Sequence, residues 1–577
     1  MPCLLALLIA AQAQAADAPR GPRDPYAGRK KVLVVGDLRT GNQVAHDAVS
    51  HAMAVIEQLG RESGAYVAFL RSDTDLVTKG EVWGKGDYAK GGPRQARGRN
   101  LDYFDAVVFY TNGETEMTAQ QRADLLSFIH DDGKGFVAIH TGTISYPSWP
   151  DYAALIGARW DNHPWNVVEG RLRNERADFP VMQGVPAAFT LRDEHYQFHP
   201  PSIRGTADVL LSLDPASVDM TARGVHRGDG DFPLVWARTH GKGRVLVSSL
   251  GHTDESWDDA NLRRIHLQGL KWVLGLTEGM PQPHAAPRVP AGVPLGSGPH
   301  KAVMLQEPTL PTHTLYRPAD LAALGDQKLP VVVWGNGACV NMGNRFRYFL
   351  TEIASRGYLV IATGPEGPAE AEGNVQIPRP ANARPRDPAN DPPETTARQL
   401  NDAIDWALRE NRRRGSPLRG RIDAQHIAAM GQSCGGAQAI VAGADRRVST
   451  TVVWNSGTFA TGPVAATGLP GAPATKASLR KLHGTVAYFS GDESDIAHPN
   501  AKDDFARINH MPVLWAWPKG VGHGGTYREP MGGEFSGVAI AWLDWQLKGS
   551  EAGRAWFLGA ECRLCRDPRW TVQAKGF

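Results

Sequence analysis

Short apolar runs rich in β-branched residues recur along the chain, separated by stretches of helical periodicity. In the first half they are Lys31 to Gly36, Ala106 to Tyr110 and Gly135 to His140, with a helical pattern over 118–132. The half closes with a further run over 243–250 and an amphipathic helix around 259–275. Such spacing predicts a parallel sheet with helices on both faces. In the second half, Leu329 to Trp334, Leu359 to Ala362, Ile427 to Met430, Thr451 to Trp454, Val486 to Ser490 and Val513 to Trp517 are six strand candidates with helices between them. They fit a doubly wound open sheet.

Between the halves, residues 279–299 combine Pro, Gly and Ala without hydrophobic periodicity, which reads as a linker. It divides the chain into 28–278 and 300–577, each the size of a single α/β domain. A second segment, 363–395, is too long and Pro-rich for an ordinary connection. A flexible cover over a site and a disordered surface stretch both fit it.

Charge narrows the function classes. A formal charge of +2 with 21% charged residues leaves no large basic surface for phosphates, so neither nucleic acid nor a membrane surface is an expected partner. Arg412-Arg413-Arg414 ends a predicted helix, where cations complement the dipole. The apolar stretch Leu4 to Ala11 is too short to span a bilayer and runs into small-x-small sequences that suit signal peptidase. Residues 1–16 are therefore expected to be an export signal, although the usual basic n-region is missing, and the protein to be secreted or periplasmic. Cleavage leaves Cys339, Cys434, Cys562 and Cys565 in a compartment where they can pair.

The second half carries the clearest chemistry. Gly431-Gln432-Ser433-Cys434-Gly435 follows the apolar run His426 to Met430 and precedes a small-residue run, which predicts a serine on a tight strand-to-helix turn. Glycine is frequent in this chain, so the five residues alone are a weak signal. A serine nucleophile needs a base, and the base an acid, in the order Ser, Asp or Glu, His for this architecture. Asp492, Glu493 and Asp495 follow one late strand, and Gly522-His523-Gly524-Gly525 follows the next.

With these residues the half resembles the α/β-hydrolase superfamily, in particular its secreted lipase- and chlorophyllase-like esterase branch that also contains polyester hydrolases. Trp334-Gly335-Asn336-Gly337-Ala338, Gly431 to Gly436, Gly491 to Asp495 and Gly522 to Thr526 carry the resemblance. It implies Ser433 as nucleophile, His523 as base and Asp495 as acid, with Asp492 the alternative. It also implies oxyanion donors at the backbone of Cys434 and of the loop Asn336 to Cys339, here assigned to Ala338. This loop departs from the His-Gly-Gly-Gly form of many lipases. Cys339 and Cys434 each adjoin a proposed donor, which suggests a disulfide between them, with two buried thiols the alternative. Cys562-Arg563-Leu564-Cys565 has no second pair to complete a zinc site, so a local disulfide or packed thiols are expected.

The first half has an elbow of its own, Ala138-Ile139-His140-Thr141-Gly142, at a place where class I glutamine amidotransferases carry a nucleophilic cysteine. It resembles the trehalose-utilisation family of amidotransferase-like domains through Gly135 to Gly142, Asn162-His163-Pro164, Asp193 to Tyr196, Pro233 to Ala237, Gly241 to Arg244 and Gly251-His252. No cysteine occurs between residues 4 and 338, which excludes thiolate chemistry here. The resemblance implies a sugar-related role. His140, His163, Asp193, Glu194, His195 and His252 are candidates for a polar ligand pocket at the carboxyl ends of the strands. Each histidine alone also fits a structural role. Trp149, Trp160, Trp165 and Tyr196 are candidate stacking faces or core. No metal or cofactor is expected.

The expectation is an α/β chain of two doubly wound domains, an amidotransferase-like (flavodoxin-like) domain followed by an α/β-hydrolase domain. It acts on small-molecule or polymeric carboxylic esters through Ser433, His523 and Asp495. The alternative centres on the histidine-rich pocket of the first half, as a sugar-processing enzyme or glycan-binding module, with the hydrolase half auxiliary.

Overall fold

A computed structural model describes residues 24–36, 46–114, 116–199, 203–368, 372 and 392–577. The expected export signal and most of the expected cover, 363–395, lie outside them. Among the described residues no helix is long and apolar enough to cross a membrane.

The first half is built on β1 (Lys31–Val35), β2 (Val67–Arg71), β3 (Ala106–Phe109), β4 (Gly135–Ile139), β5 (Trp160–Asn162), β6 (Val167–Asn174), β7 (Ala188–Glu194), β8 (Gln197–Phe198), β9 (Asp208–Leu213), β10 (Pro233–His240) and β11 (Gly243–Ser248). Nine of these form one sheet in the order β2-β1-β3-β4-β11-β10-β9-β6-β7. Alternate residues of β1 bury on opposite faces: Val32 and Val34 pack with helices Ala48–Ser63 and Ala260–Val273, Leu33 and Val35 with Ala119–His130 and Pro150–Ile156. The predicted helices are present, and their starts follow from capping. Thr118 and Gln121 form a reciprocal capping box, and Asp259 accepts from the N–H groups of Asn261 and Leu262.

The expected parallel sheet is only half right. Strands β2, β1, β3, β4 and β11 run parallel, whereas the pairings from β11 through β10, β9 and β6 to β7 are antiparallel. The connection decides it: only Gly241 and Lys242 separate β10 from β11, too few for a crossover, and Gly241 takes the φ of 57° that a two-residue hairpin demands.

The second half adds β12 (Ala302–Gln306), β13 (His313–Pro318), β14 (Leu329–Gly335), β15 (Leu359–Thr363), β16 (Ile422–Gln432), β17 (Thr450–Trp454), β18 (Thr485–Phe489), β19 (Val513–Pro518) and β20 (Trp570–Lys575), in the order β12-β13-β15-β14-β16-β17-β18-β19-β20. The six predicted strands form its parallel centre, and antiparallel β12, β13 and β20 extend its edges. Val332 and Trp334 of β14 bury against helices Arg347–Ala354 and Gly533–Lys548, Val331 and Val333 against Ala397–Glu410 and Cys434–Ala442. A fully buried aliphatic or aromatic side chain stabilises by roughly 1.5–3 kcal/mol, so this two-faced packing holds the central strands rigidly.

Where β14 and β16 end, two backbones touch. A Cβ on Gly435 would lie 2.0 Å from the Gly335 carbonyl oxygen and one on Gly431 2.2 Å from that of Gly435. Gly435→Ala must therefore push the β14 end away from the Ser433 turn. The expected result is a loss of about 3 kcal/mol in stability, read from the urea unfolding midpoint; a change below about 0.5 kcal/mol would contradict this packing.

Residues 279–299 hold no helix or strand, as expected of a connection, yet they are packed down. Val289 and Leu295 are buried in the core of the first half, Gly296 N–H donates to the Gly228 carbonyl, and the fully buried Arg347 guanidinium donates to the carbonyls of Val289 and Pro290.

Candidate functional sites

Ser433 follows β16 directly and opens helix Cys434–Ala442, with φ 55° and ψ −121°. The strain is held by its own N–H donating to the Trp454 carbonyl (2.9 Å) and by Ser456 Oγ and Gly436 N–H donating to its carbonyl. The Cys434 N–H sits at the first helical residue, where no intrahelical acceptor exists. Ala338 and Cys339 in the facing loop also take left-handed backbone, φ 54° and 51°.

His523 lies in the loop after β19 and Asp495 after β18. The Ser433 hydroxyl donates to His523 Nε2 (3.0 Å), and His523 Nδ1 donates to Asp495 Oδ1 (2.6 Å). Asp495 is fully buried and also accepts from the N–H groups of Gly491 and Ala497 and from Asn455 Nδ2, each at 2.9 Å. Burial alone would raise its pKa, but His523 and these donors hold it below the ordinary carboxylate value. Tyr527 fixes Asn455 by donating to its side-chain oxygen (2.7 Å), and Gln432 Nε2 donates to the His523 carbonyl (3.1 Å). Asp492, the alternative acid, instead accepts from Ser494 and the Gly520 N–H on the exposed side of the turn. Asn455 was missed in the sequence, since it belongs to no motif that marks the site, and Gln432 was read only as part of the serine turn.

Cys339 and Cys434 are joined by a disulfide that ties the Ala338 loop to the helix start, and Cys562 and Cys565 form a second, local one. Beside Ser433 opens a cavity of about 370 Å³, walled mostly by apolar groups including Ala338, Phe459, Val464, Leu469 and Ile496. Ile496 at its rim is 78% exposed.

In the first half, His140 stands just past β4 with φ 44°. Its Nδ1 donates to the Ser249 carbonyl (2.9 Å), so Nε2 carries the lone pair; burial pushes its pKa down to about 3 and keeps the ring neutral. Around Nε2 lie the Tyr196 hydroxyl at 3.0 Å, His252 Nδ1 at 3.1 Å and Glu194 Oε2 at 3.6 Å. His252 Nδ1 is 3.3 Å from Glu194 Oε2 and His163 Nδ1 is 3.0 Å from Glu194 Oε1. Burial opposes ionisation of Glu194, but the surrounding imidazoles hold its carboxyl below the usual value.

Asp193 does not face this cluster as a ligand. Its carboxylate accepts from the N–H groups of Gly251, His252 and Glu194, fixing the His252 loop, and burial pushes its pKa up to about 6. His195 corrects the expected pocket. Strand alternation sends Glu194 and Tyr196 toward His140 and turns the ring between them away, against Gly170, where burial lowers its pKa to about 4. Trp160 stands near the cluster, 6.0 Å from the rings of His163 and Tyr196, whereas Trp149 packs among Tyr146 and Tyr152, and Trp165 against Phe232. His46, missed in the sequence, completes the group, its ring centroid 5.0 Å from His140 and 4.8 Å from His252. Its position between β1 and the next helix, at the carboxyl end of the parallel strands, was the available signal.

No curated protein matches the chain. Among solved structures, a ThuA-like protein from Bacteroides uniformis is 21% identical, covering 44% of this chain and 95% of its own with a TM-score of 0.34. One from Parabacteroides merdae is 19% identical, covering 43% and 90% with a TM-score of 0.32. Residues 31–273 match the trehalose-utilisation family, ThuA, and the N-terminal half of the chain is ThuA-like.

Proposed function

We propose that residues 300–577 are an α/β-hydrolase domain that cleaves carboxylic esters and that the chain is an exported serine esterase with a ThuA-like N-terminal domain. The observation that carries this is the unbroken hydrogen-bonded relay that starts from Ser433, on a strained turn at a helix start, and runs through His523 to the buried Asp495. In this reading Ser433 attacks the ester carbonyl as His523 takes its proton, and Asp495 keeps the imidazole in the tautomer that can accept it. The N–H groups of Cys434 and Ala338 receive the oxyanion, and the Cys339–Cys434 disulfide holds those two donors at a fixed separation. His523 then returns the proton to the departing alcohol, and water repeats the sequence to release the acid.

The apolar cavity beside Ser433 favours an acyl or aryl group of modest size. Two disulfides support an oxidising, extracytoplasmic location. Fluorophosphonate labelling tests the nucleophile: one adduct per chain on the Ser433 peptide is expected. A folded protein that leaves Ser433 unlabelled, or is labelled elsewhere, sinks the proposal.

A further inference from the structure

We propose that His46, His140, Glu194 and His252 form a binding site for a divalent transition-metal ion in the ThuA-like half, a site independent of Ser433. One ligand atom from each of the four residues lies within 4.8 Å of all the others. Bonds of about 2.0–2.1 Å to a tetrahedral ion separate neighbouring ligand atoms by about 3.3 Å. The three measured edges, His140 Nε2 to His252 Nδ1, His252 Nδ1 to Glu194 Oε2 and His140 Nε2 to Glu194 Oε2, are 3.1, 3.3 and 3.6 Å. The face of a coordination shell is thus assembled before any ion arrives.

The direction in which the ligand atoms point gives a second reason. The Ser249 carbonyl engages His140 Nδ1, which turns Nε2 toward the cluster. Glu194 presents carboxylate lone pairs to the same point. A buried convergence of lone pairs is stabilised by a cation.

The supporting contacts have the form metal sites use. Ser249 orients His140 through its far nitrogen, His163 braces the second oxygen of Glu194, and Asp193 anchors the backbone that carries His252. Three imidazoles and one carboxylate suit zinc, cobalt or iron(II) far better than calcium or magnesium, which take oxygen shells. His46 and His252 are partly exposed, and His163, 37% exposed, stands at the mouth. An ion here would accept a fifth ligand, a water or a hydroxyl of a small ligand, from this exposed side. Spacing concealed the site because its four ligands come from four separate segments of the chain, whereas a short His-x-x-x-His motif draws two from one helix.

The test uses the full chain, stripped with chelator and titrated with Zn²⁺ and with Co²⁺. About one equivalent of either should bind per chain, and Co²⁺ should give visible d–d bands of a low-coordinate site. His46→Ala and His252→Ala, chosen because neither ring is fully buried, should each weaken binding at least about 10-fold, and the surface variant His130→Ala should not. His252→Cys should restore binding and add a thiolate-to-cobalt charge-transfer band, which a merely structural histidine would not produce. Uptake below about 0.1 equivalent, binding unchanged in both alanine variants, or displacement of Zn²⁺ by equimolar Mg²⁺ or Ca²⁺ would overturn the proposal.

Discussion

Ser433→Ala is expected to lower kcat for p-nitrophenyl acetate by about 10⁵–10⁶-fold, roughly 7–8 kcal/mol of barrier, leaving only what the oxyanion donors and binding supply. The fold should survive, because the hydroxyl makes one hydrogen bond, to His523, and the turn is held by backbone contacts to Trp454, Ser456 and Gly436. Equal thermal unfolding midpoints for the variant and the parent protein would establish that. Turnover within tenfold of the parent protein would show that Ser433 is not the nucleophile. Because the metal site proposed above shares no residue with this relay, the same variant should bind Zn²⁺ unchanged, so the two proposals fail separately.

Asp495→Asn is expected to lower kcat by about 10⁴-fold. The carboxylate accepts on both oxygens, from His523 and Ala497 on one and from Gly491 and Asn455 on the other. An amide can accept on one side only. With its oxygen toward Gly491 and Asn455, its NH₂ faces His523 Nδ1 and forces the proton onto Nε2, where it can no longer accept from Ser433. With the oxygen toward His523, two buried donors lose their acceptor, costing about 1–3 kcal/mol in stability. Asp492→Asn supplies the comparison, since that side chain serves Ser494 and Gly520 on the outside of the turn, and its kcat should stay within about twofold. If Asp492→Asn proved the more damaging of the two, the assignment of the acid would be reversed.

The parallel centres of both sheets were legible because buried central strands read as continuous apolar runs, such as Lys31–Val35 and Leu329–Gly335. The edges were not. Val167–Asn174 and Trp570–Lys575 bury only scattered positions and look polar in sequence, so these strands escaped notice. Ser433, Asp495 and His523 were legible through an order imposed by topology, following β16, β18 and β19 in turn. The choice between Asp495 and Asp492 needed the turn itself, since three residues decide which carboxylate faces inward. His195 was misplaced and His46 overlooked for the same physical reason: membership of a cluster drawn from separate segments depends on side-chain direction, which alternation and chain tracing supply and composition does not.

The packed connection between the halves has a consequence for how the molecule ages in the presence of proteases. A serine protease needs a substrate segment that can leave its surroundings and lie extended in a cleft, and stretches rich in proline and glycine between domains are where nicking concentrates. Arg288 is the only residue within 279–299 after which trypsin could cut. Its side chain is engaged by Glu366 and Glu372, and the carbonyl of the following Val289 is held by Arg347 while its side chain is buried. Presenting this bond to a protease therefore requires lifting an apolar side chain out of one half and breaking a buried guanidinium contact in the other. A segment that has the composition of a hinge thus behaves as a seam, and a nicked chain should be cut elsewhere before it parts there.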